Sequence, residues 1–394
     1  MSLIRYFFHA LTVAQLVFAE NSCGDVTIQS QSDADSISGC SALSGNVKID
    51  ETFSGDLIIN SVQKVTGSII ANNATQLTSI IAPSLESIGH SFSLTSCTRL
   101  TQLNFADLTS VGEIYWEALP ALQSLTFNTG VTEAGDVTIT NTGLQNLDGI
   151  SLKTVGKFQI TDNPNLKKIN INNLQNATDL VDFAGNWDKL EIELPNLGTA
   201  YNMTFRNISS VSMPSLEKLM GQLGFWGTKF ESFFAPNLTS AADVTFNDND
   251  KLTNISMPEL NKVIGGFVIT RNDKLVGIEL PALKSVTGAI DFSGTFDKVD
   301  LGSLEEVDGG FNLQSTDGKF SCENFDNMKD THTIRGTYKC KAVTDHPTNS
   351  NGKSGTSTFH GNVSSTGTSN AASSSAAVPA TGLAALFFAL AQLV

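Results

Sequence analysis

Four stretches carry the reading of this chain: APSLESIG (82–89), MPSLEKLMG (213–221), MPELNKVIG (257–265) and LPALKSVTG (280–288). Each sets a proline two residues before a leucine, an apolar residue three after it, and a glycine one or two further on. Aligning the central apolar residue extends the pattern to Val62, Leu85, Leu108, Val131, Leu152, Leu174, Leu197, Leu216, Leu238, Leu260, Leu283 and Leu304, at spacings of 19 to 23 residues with a mean of 22. A period in that range is the signature of a solenoid, in which each repeat buries its apolar face only against its neighbours.

Within a repeat the apolar residues come as short alternating pairs, as in Phe92-x-Leu94, Phe158-x-Ile160, Val244-x-Phe246 and Phe267-x-Ile269. Period-two runs this short are strands, and no apolar stripe of helical period lasts three turns. The prolines, whose φ is fixed, are expected at corners between faces, and the glycines at sharp bends. Three residues after the strand pair stands Asn163, Asn186, Asn249 or Asn272, and in one coil Cys97. Leucine-rich repeats use Asn or Cys there to satisfy backbone groups inside the turn. The expected fold is mainly β: a right-handed β-solenoid of about 12 coils of about 22 residues, whose mixture of β-helix and leucine-rich-repeat features resembles the receptor L-domain type of solenoid.

The two ends read as addresses. Residues 1–19 carry Arg5, then an apolar stretch from Tyr6 to Phe18, and small or apolar residues at Val17 and Ala19 before Glu20, the layout of a secretory signal peptide. At the other end GLAALFFALAQLV (382–394) is apolar without a basic residue; a polar spacer, 373–381, precedes it, and before that stands the small trio Asn370-Ala371-Ala372. These are the parts of a GPI-attachment signal with Asn370 as the attachment residue and Gly367, Ser369 and Ser373 as the neighbouring alternatives. Between 344 and 375, 15 of 32 residues are Ser or Thr, a composition for a glycosylated stalk. The expected organisation is a signal peptide at 1–19, an N-terminal cap at 20–60, the repeat solenoid at 61–304, a C-terminal cap at 305–343, the stalk at 344–370 and a removed propeptide at 371–394.

This ordered combination of signal, cysteine-bearing first segment, PxLxxV/I coils, cysteine-bearing closing segment, Ser/Thr stalk and GPI tail resembles the fungal GPI-anchored cell-wall organisation proteins of the extracellular-mutant and sporulation-specific type. The resemblance implies a non-catalytic surface glycoprotein required for fungal wall organisation and integrity, held at the outer leaflet of the plasma membrane or in the wall. It implies the GPI lipid and wall polysaccharide or wall proteins as partners.

The five cysteines divide as Cys23 and Cys40, then Cys97, then Cys322 and Cys340. An open stack exposes an apolar end, so disulfide-closed caps by the two local pairs are expected, with a bridge through Cys97 as the alternative. Cys97 stands in the Asn position and reads as a structural thiol. Seven Asn-x-Ser/Thr sequons, Asn73, Asn176, Asn202, Asn207, Asn237, Asn254 and Asn362, are candidate N-glycosylation sites, all expected at turns, corners or in the stalk.

With 39 acidic against 24 basic residues and a net charge of −15, the chain repels a phosphate backbone, so no nucleic-acid partner is expected. The middle holds no apolar run near the ~20 residues a membrane span needs. No zinc motif, P-loop or G-x-S-x-G occurs, and no catalytic residue, cofactor or metal is expected. The acids Glu305, Glu306, Asp248 and Asp250 read as exposed charges rather than a glycosidase pair. Trp187 and Trp226, expected in turns just after the strand pair, and Tyr115, at an outward strand position, are the candidate glycan contacts, without a convergent set of polar groups around the tryptophans. The competing functional readings are a surface receptor or adhesin that binds glycan or protein through a coil face, and a wall-remodelling carbohydrase.

Overall fold

The computed structural model describes residues 23–353 and 355. The expectations for residues 1–19, Asn362, Asn370 and 371–394 lie outside the described residues. The chain forms a parallel β-solenoid of about thirteen turns. One coil shows the plan: Ser240–Ala241 lies on a short face, Asp243–Asn247 on a long face and Asn254–Ser256 on a third, before Lys262–Val263 begins the next coil. Parallel pairing joins the long-face strands from Val26–Ile28 through to Tyr338–Lys341, so two rungs of this face, Val26–Ile28 and Val47–Ile49, lie inside the segment expected to be only a cap.

Register puts like on like. Val244 pairs with Phe267 and Phe246 with Ile269, and one step further Phe267 pairs with Ile290. A slip by one residue would turn this inward set to solvent, so burial fixes the pairing. All twelve repeat residues from Val62 to Leu304 are buried. Between them runs a column of phenylalanines, with Phe205, Phe225 and Phe246 stacked at centroid distances of 5.0 and 4.9 Å.

The corners explain the sequence signals. The proline corner is a β-turn: the repeat leucine's N–H donates to the carbonyl three residues back, Leu85 to Ala82 at 3.3 Å, Leu260 to Met257 at 3.2 Å and Leu283 to Leu280 at 3.1 Å. Proline occupies the second turn position, where its φ is already correct. The glycines serve a different end from the one expected. Gly89, Gly112, Gly135 and Gly156 do not have positive φ. They stack, and a Cβ on Gly112, Gly135 or Gly156 would lie 2.5, 2.8 or 2.9 Å from the carbonyl oxygen of the glycine one coil below. Close approach of successive coils, not a left-handed bend, therefore excludes a side chain there.

The left-handed backbone lies instead at the third corner. Ser96, Asp162, Asp248 and Arg271, each just before the Asn or Cys position, have φ of 56, 56, 64 and 55°. The side chain that follows ties the bend to both neighbouring coils. Asn249 Oδ1 accepts the Thr228 N–H at 2.9 Å, its Nδ2 donates to the Phe225 carbonyl at 3.3 Å, and its own N–H donates to Asn272 Oδ1 at 3.0 Å. Asn163 repeats this with Thr142, Ile139 and Asn186. Cys97 offers its thiol to the equivalent carbonyls, Thr95 at 3.6 Å and Ala71 at 3.9 Å.

Both ends are closed. Cys23 is bonded to Cys40 beside helix Gln31–Ser36, which buries Ala34, and Cys322 to Cys340 beside helix Glu323–Asp330, which buries Phe325 against Phe311 and Phe320. Cys97 is free and buried. The segment after 343, expected to leave the fold as stalk, first crosses the long face as a strap. The Thr344 N–H donates to the Ser315 carbonyl, Asn312 and Gln314 donate to the Thr348 carbonyl at 2.9 and 2.6 Å, Ser350 Oγ donates to Asp291 at 2.6 Å, and the Arg271 N–H donates to the Gly355 carbonyl at 2.7 Å.

Asn249→Ala removes the partners of a buried N–H and a buried carbonyl at once, so we expect a loss of about 3 kcal/mol in chemical denaturation. Asn261→Ala, at an exposed position, should stay within about 0.5 kcal/mol of wild type. Equal stabilities would contradict the role given to the corner asparagines.

Candidate functional site

On the long face alternate residues point outward, and in-register stacking lines them up as columns. One column runs Gln159, Asp182, Thr204, Gly224, Thr245, and its neighbour Thr161, Ala184, Arg206, Trp226, Asn247. Trp226 is therefore the last residue of strand Gln222–Trp226, not a turn residue. Gly224 determines how its ring lies: a Cβ there would coincide with the far edge of the indole, so the ring leans back along its own strand over the glycine. The Arg206 guanidinium, one coil below and in register, sits over the ring at 4.9 Å from its centroid.

One charged group, Arg206, packs on this ring, and a hydrogen-bonded row of polar groups leads away from it down the columns. Arg206 Nη1 lies 3.5 Å from Asp182 Oδ1, which also accepts Thr204 Oγ1 at 2.6 Å, while Gln159 Nε2 donates to Asp182 Oδ2 at 3.3 Å. On the other side Asn247 pairs in register with Trp226 and accepts the Arg271 Nε–H at 3.3 Å. The guanidinium and carboxylate cancel, so the cluster is electrically neutral as well as half-buried. The signal in the sequence was Gly-x-Trp with an arginine one coil earlier, legible only once the register is known.

The other candidate aromatics stand elsewhere. Trp187 is in the turn after Asn186, with Lys189 Nζ 5.8 Å from its ring centroid. Tyr115 points outward and donates to Glu117 Oε2 at 2.6 Å, a bond that raises the phenol's pKa. The third tryptophan, Trp116, is in the core between Phe92 and Phe127.

The four acids do not assemble. Asp248 and Asp250 sit at a corner and face Arg271 at 3.8 Å and Lys229 at 3.4 Å. Glu305 lies 3.6 Å from Lys284, and Glu306 pairs with Arg335. Among the described residues no group of His, Cys, Asp and Glu is arranged to hold a metal.

Six sequons fall among the described residues. Asn73, Asn207 and Asn237 are exposed, the first two with φ of 58 and 55° at left-handed corners. Asn176 and Asn254 open strands, and Asn202 sits inside strand Thr199–Arg206, where that strand bends continuously between two faces. Asn176 and Asn202 each accept a hydrogen bond at Oδ1, from Thr199 Oγ1 at 2.6 Å and the Gln222 N–H at 2.9 Å, which leaves Nδ2 as the atom for a glycan.

Comparison with known proteins gives a consistent result. A family model described as "GPI-anchored cell wall organization protein" matches residues 1–38, and one for BspA-type leucine-rich repeats matches 64–185 and 183–295 in six copies. The chain is 57% identical to the Aspergillus fumigatus "Protein ecm33" over 100% of both chains. It is 41% identical to a "Cell surface GPI-anchored protein" of Arthroderma benhamiae, over 90% of this chain and 92% of that one. It is 31% identical to the "Cell surface GPI-anchored protein ECM33" of Candida albicans, over 86% and 81%. No solved structure matches.

Burial raises the Cys97 thiol above its ordinary pKa. The thiolate needed for alkylation is therefore scarce as well as inaccessible. We expect iodoacetamide at pH 8 to leave the folded chain unmodified and to label one cysteine per chain after unfolding without reductant. Labelling of Cys97 in the native protein would contradict this placement.

Proposed function

Because the chain belongs to the Ecm33 family of GPI-anchored cell-wall organisation proteins, we propose that it is a non-catalytic glycoprotein serving wall organisation and integrity at the fungal cell surface. In this reading residues 1–19 direct secretion, the segment 371–394 is exchanged for a GPI lipid at Asn370, and the Ser/Thr-rich segment beyond the strap spaces the solenoid from the anchor. The observation that carries the reading is the 57% identity to "Protein ecm33" along the whole of both chains, beside the match of residues 1–38 to the model of a GPI-anchored cell wall organization protein. The scattering of the acids among separate ion pairs favours a scaffold over a carbohydrase, since glycoside hydrolysis needs two carboxyl groups facing one bond.

Deletion and complementation in the fungus that carries the chain test this. Loss of the protein should make cells hypersensitive to wall-binding dyes, and the wild-type chain should restore resistance. Leu386→Arg, which puts a charge in the apolar tail, should block anchoring and fail to complement. A normal wall in the deletion strain, or full rescue by unanchored Leu386→Arg protein, would overturn the proposal.

A further inference from the structure

We propose that the outward cluster of Gln159, Asp182, Thr204, Arg206, Trp226 and Asn247 on the long face is a binding site for a neutral, β-linked hexose chain. Such a chain presents an apolar C–H face to an aromatic ring and hydroxyl pairs to planar carboxylate, amide and guanidinium groups. The cluster supplies each of these along one pair of columns. Its ring is fixed rather than free, because the gap above Gly224 receives the far edge of the indole and Arg206 covers one of its two faces, so the sugar would stack on the face turned away from Arg206. A ligand therefore meets a preorganised platform and orders few side chains on binding.

Two further observations favour a neutral sugar chain as the occupant. The first is charge: Asp182 and Arg206 neutralise each other, which gives no net attraction to an anionic or cationic polymer. The second is continuity. The same face, two and three coils beyond Asn247, already holds an extended chain: the strap's Thr348 carbonyl and Ser350 hydroxyl are bound by Asn312, Gln314 and Asp291, outward residues of the same columns. The strap ends at Arg271, whose side chain meets Asn247 at the edge of the cluster. From the coil of Gln159 to that of Asn247 is four rungs, roughly 19 Å at ordinary strand spacing, room for a short oligosaccharide along the columns.

Trp187 provides an internal control, because it stands in a turn beside Lys189, off these columns. The test uses the full-length chain purified from its membrane or wall fraction, titrated with the hexasaccharides of β-1,3-glucan, cellulose and chitin by calorimetry and tryptophan fluorescence. We expect saturable binding of at least one of them. Trp226→Ala should weaken that binding by about tenfold or more. Gly224→Ala, which keeps the indole but fills its seat, should weaken it too, whereas Trp187→Ala should leave it unchanged, with the melting temperature of each variant recorded as the check on folding. Binding of none of the three sugars, equal affinity of wild type and a folded Trp226→Ala protein, or binding lost equally in Trp187→Ala would overturn the assignment. The choice of sugars rests on the proposed wall role, but the titration does not depend on it. A chain that complements the deletion and binds no sugar removes this inference alone, and a chain that binds sugar without complementing removes the wall role alone.

Discussion

No coil of this molecule can bury its apolar residues by itself, and everything else follows from that constraint. A coil of about 22 residues has one layer of inward side chains, so its partners must come from the coils above and below. The parallel ladder makes this stacking regular, with Phe225 under Phe246 and Val244 under Phe267. Because the backbone of each coil repeats that of the last, a corner that works once must work in every coil. This requirement selects the proline turn, the glycine column and the corner asparagine.

The corners show how local chemistry serves the stack. A left-handed residue such as Asp248 turns the chain, and Asn249 then binds the N–H of Thr228 below and donates its own to Asn272 above. The interaction is part of the interior: Asn163, Asn249 and Asn272 are all essentially inaccessible to water. Buried amides in such a network are strong when fully paired and costly when not, which makes the ladder a specifier of register as much as a source of stability. Where Cys97 replaces asparagine, the thiol reaches the equivalent carbonyls at longer range, so that rung is tied more weakly.

The repeat, the strand class, the proline corners and the Asn position were legible in the sequence because each depends on neighbours within one coil. What depends on contacts between coils was not. The glycines advertise a bend, yet Gly112 and Gly135 exist to let carbonyls pass close beneath them. Trp226 follows an alternating pair as a turn residue would, but the strand runs one step further and carries it onto the outward face. Arg206, Asp182 and Gln159 are separated by more than 20 residues from one neighbour to the next, and only register brings them into one cluster. The strap was hidden by its composition, since Ser- and Thr-rich sequence suits a solvated stalk as well as it suits hydrogen bonding to Asp291 and Gln314.

The central claim is that the coils are locked like over like by the backbone ladder and the corner asparagines together, and amide hydrogen exchange tests it most directly. The N–H groups of Thr228 and Asn249, bound by asparagine side chains of the next coil, should exchange as slowly as those of strand Asp243–Asn247, opening only when the stack as a whole unfolds. Exchange of Thr228 and Asn249 at the rate of an unprotected peptide, while the strand stays protected, would contradict the account.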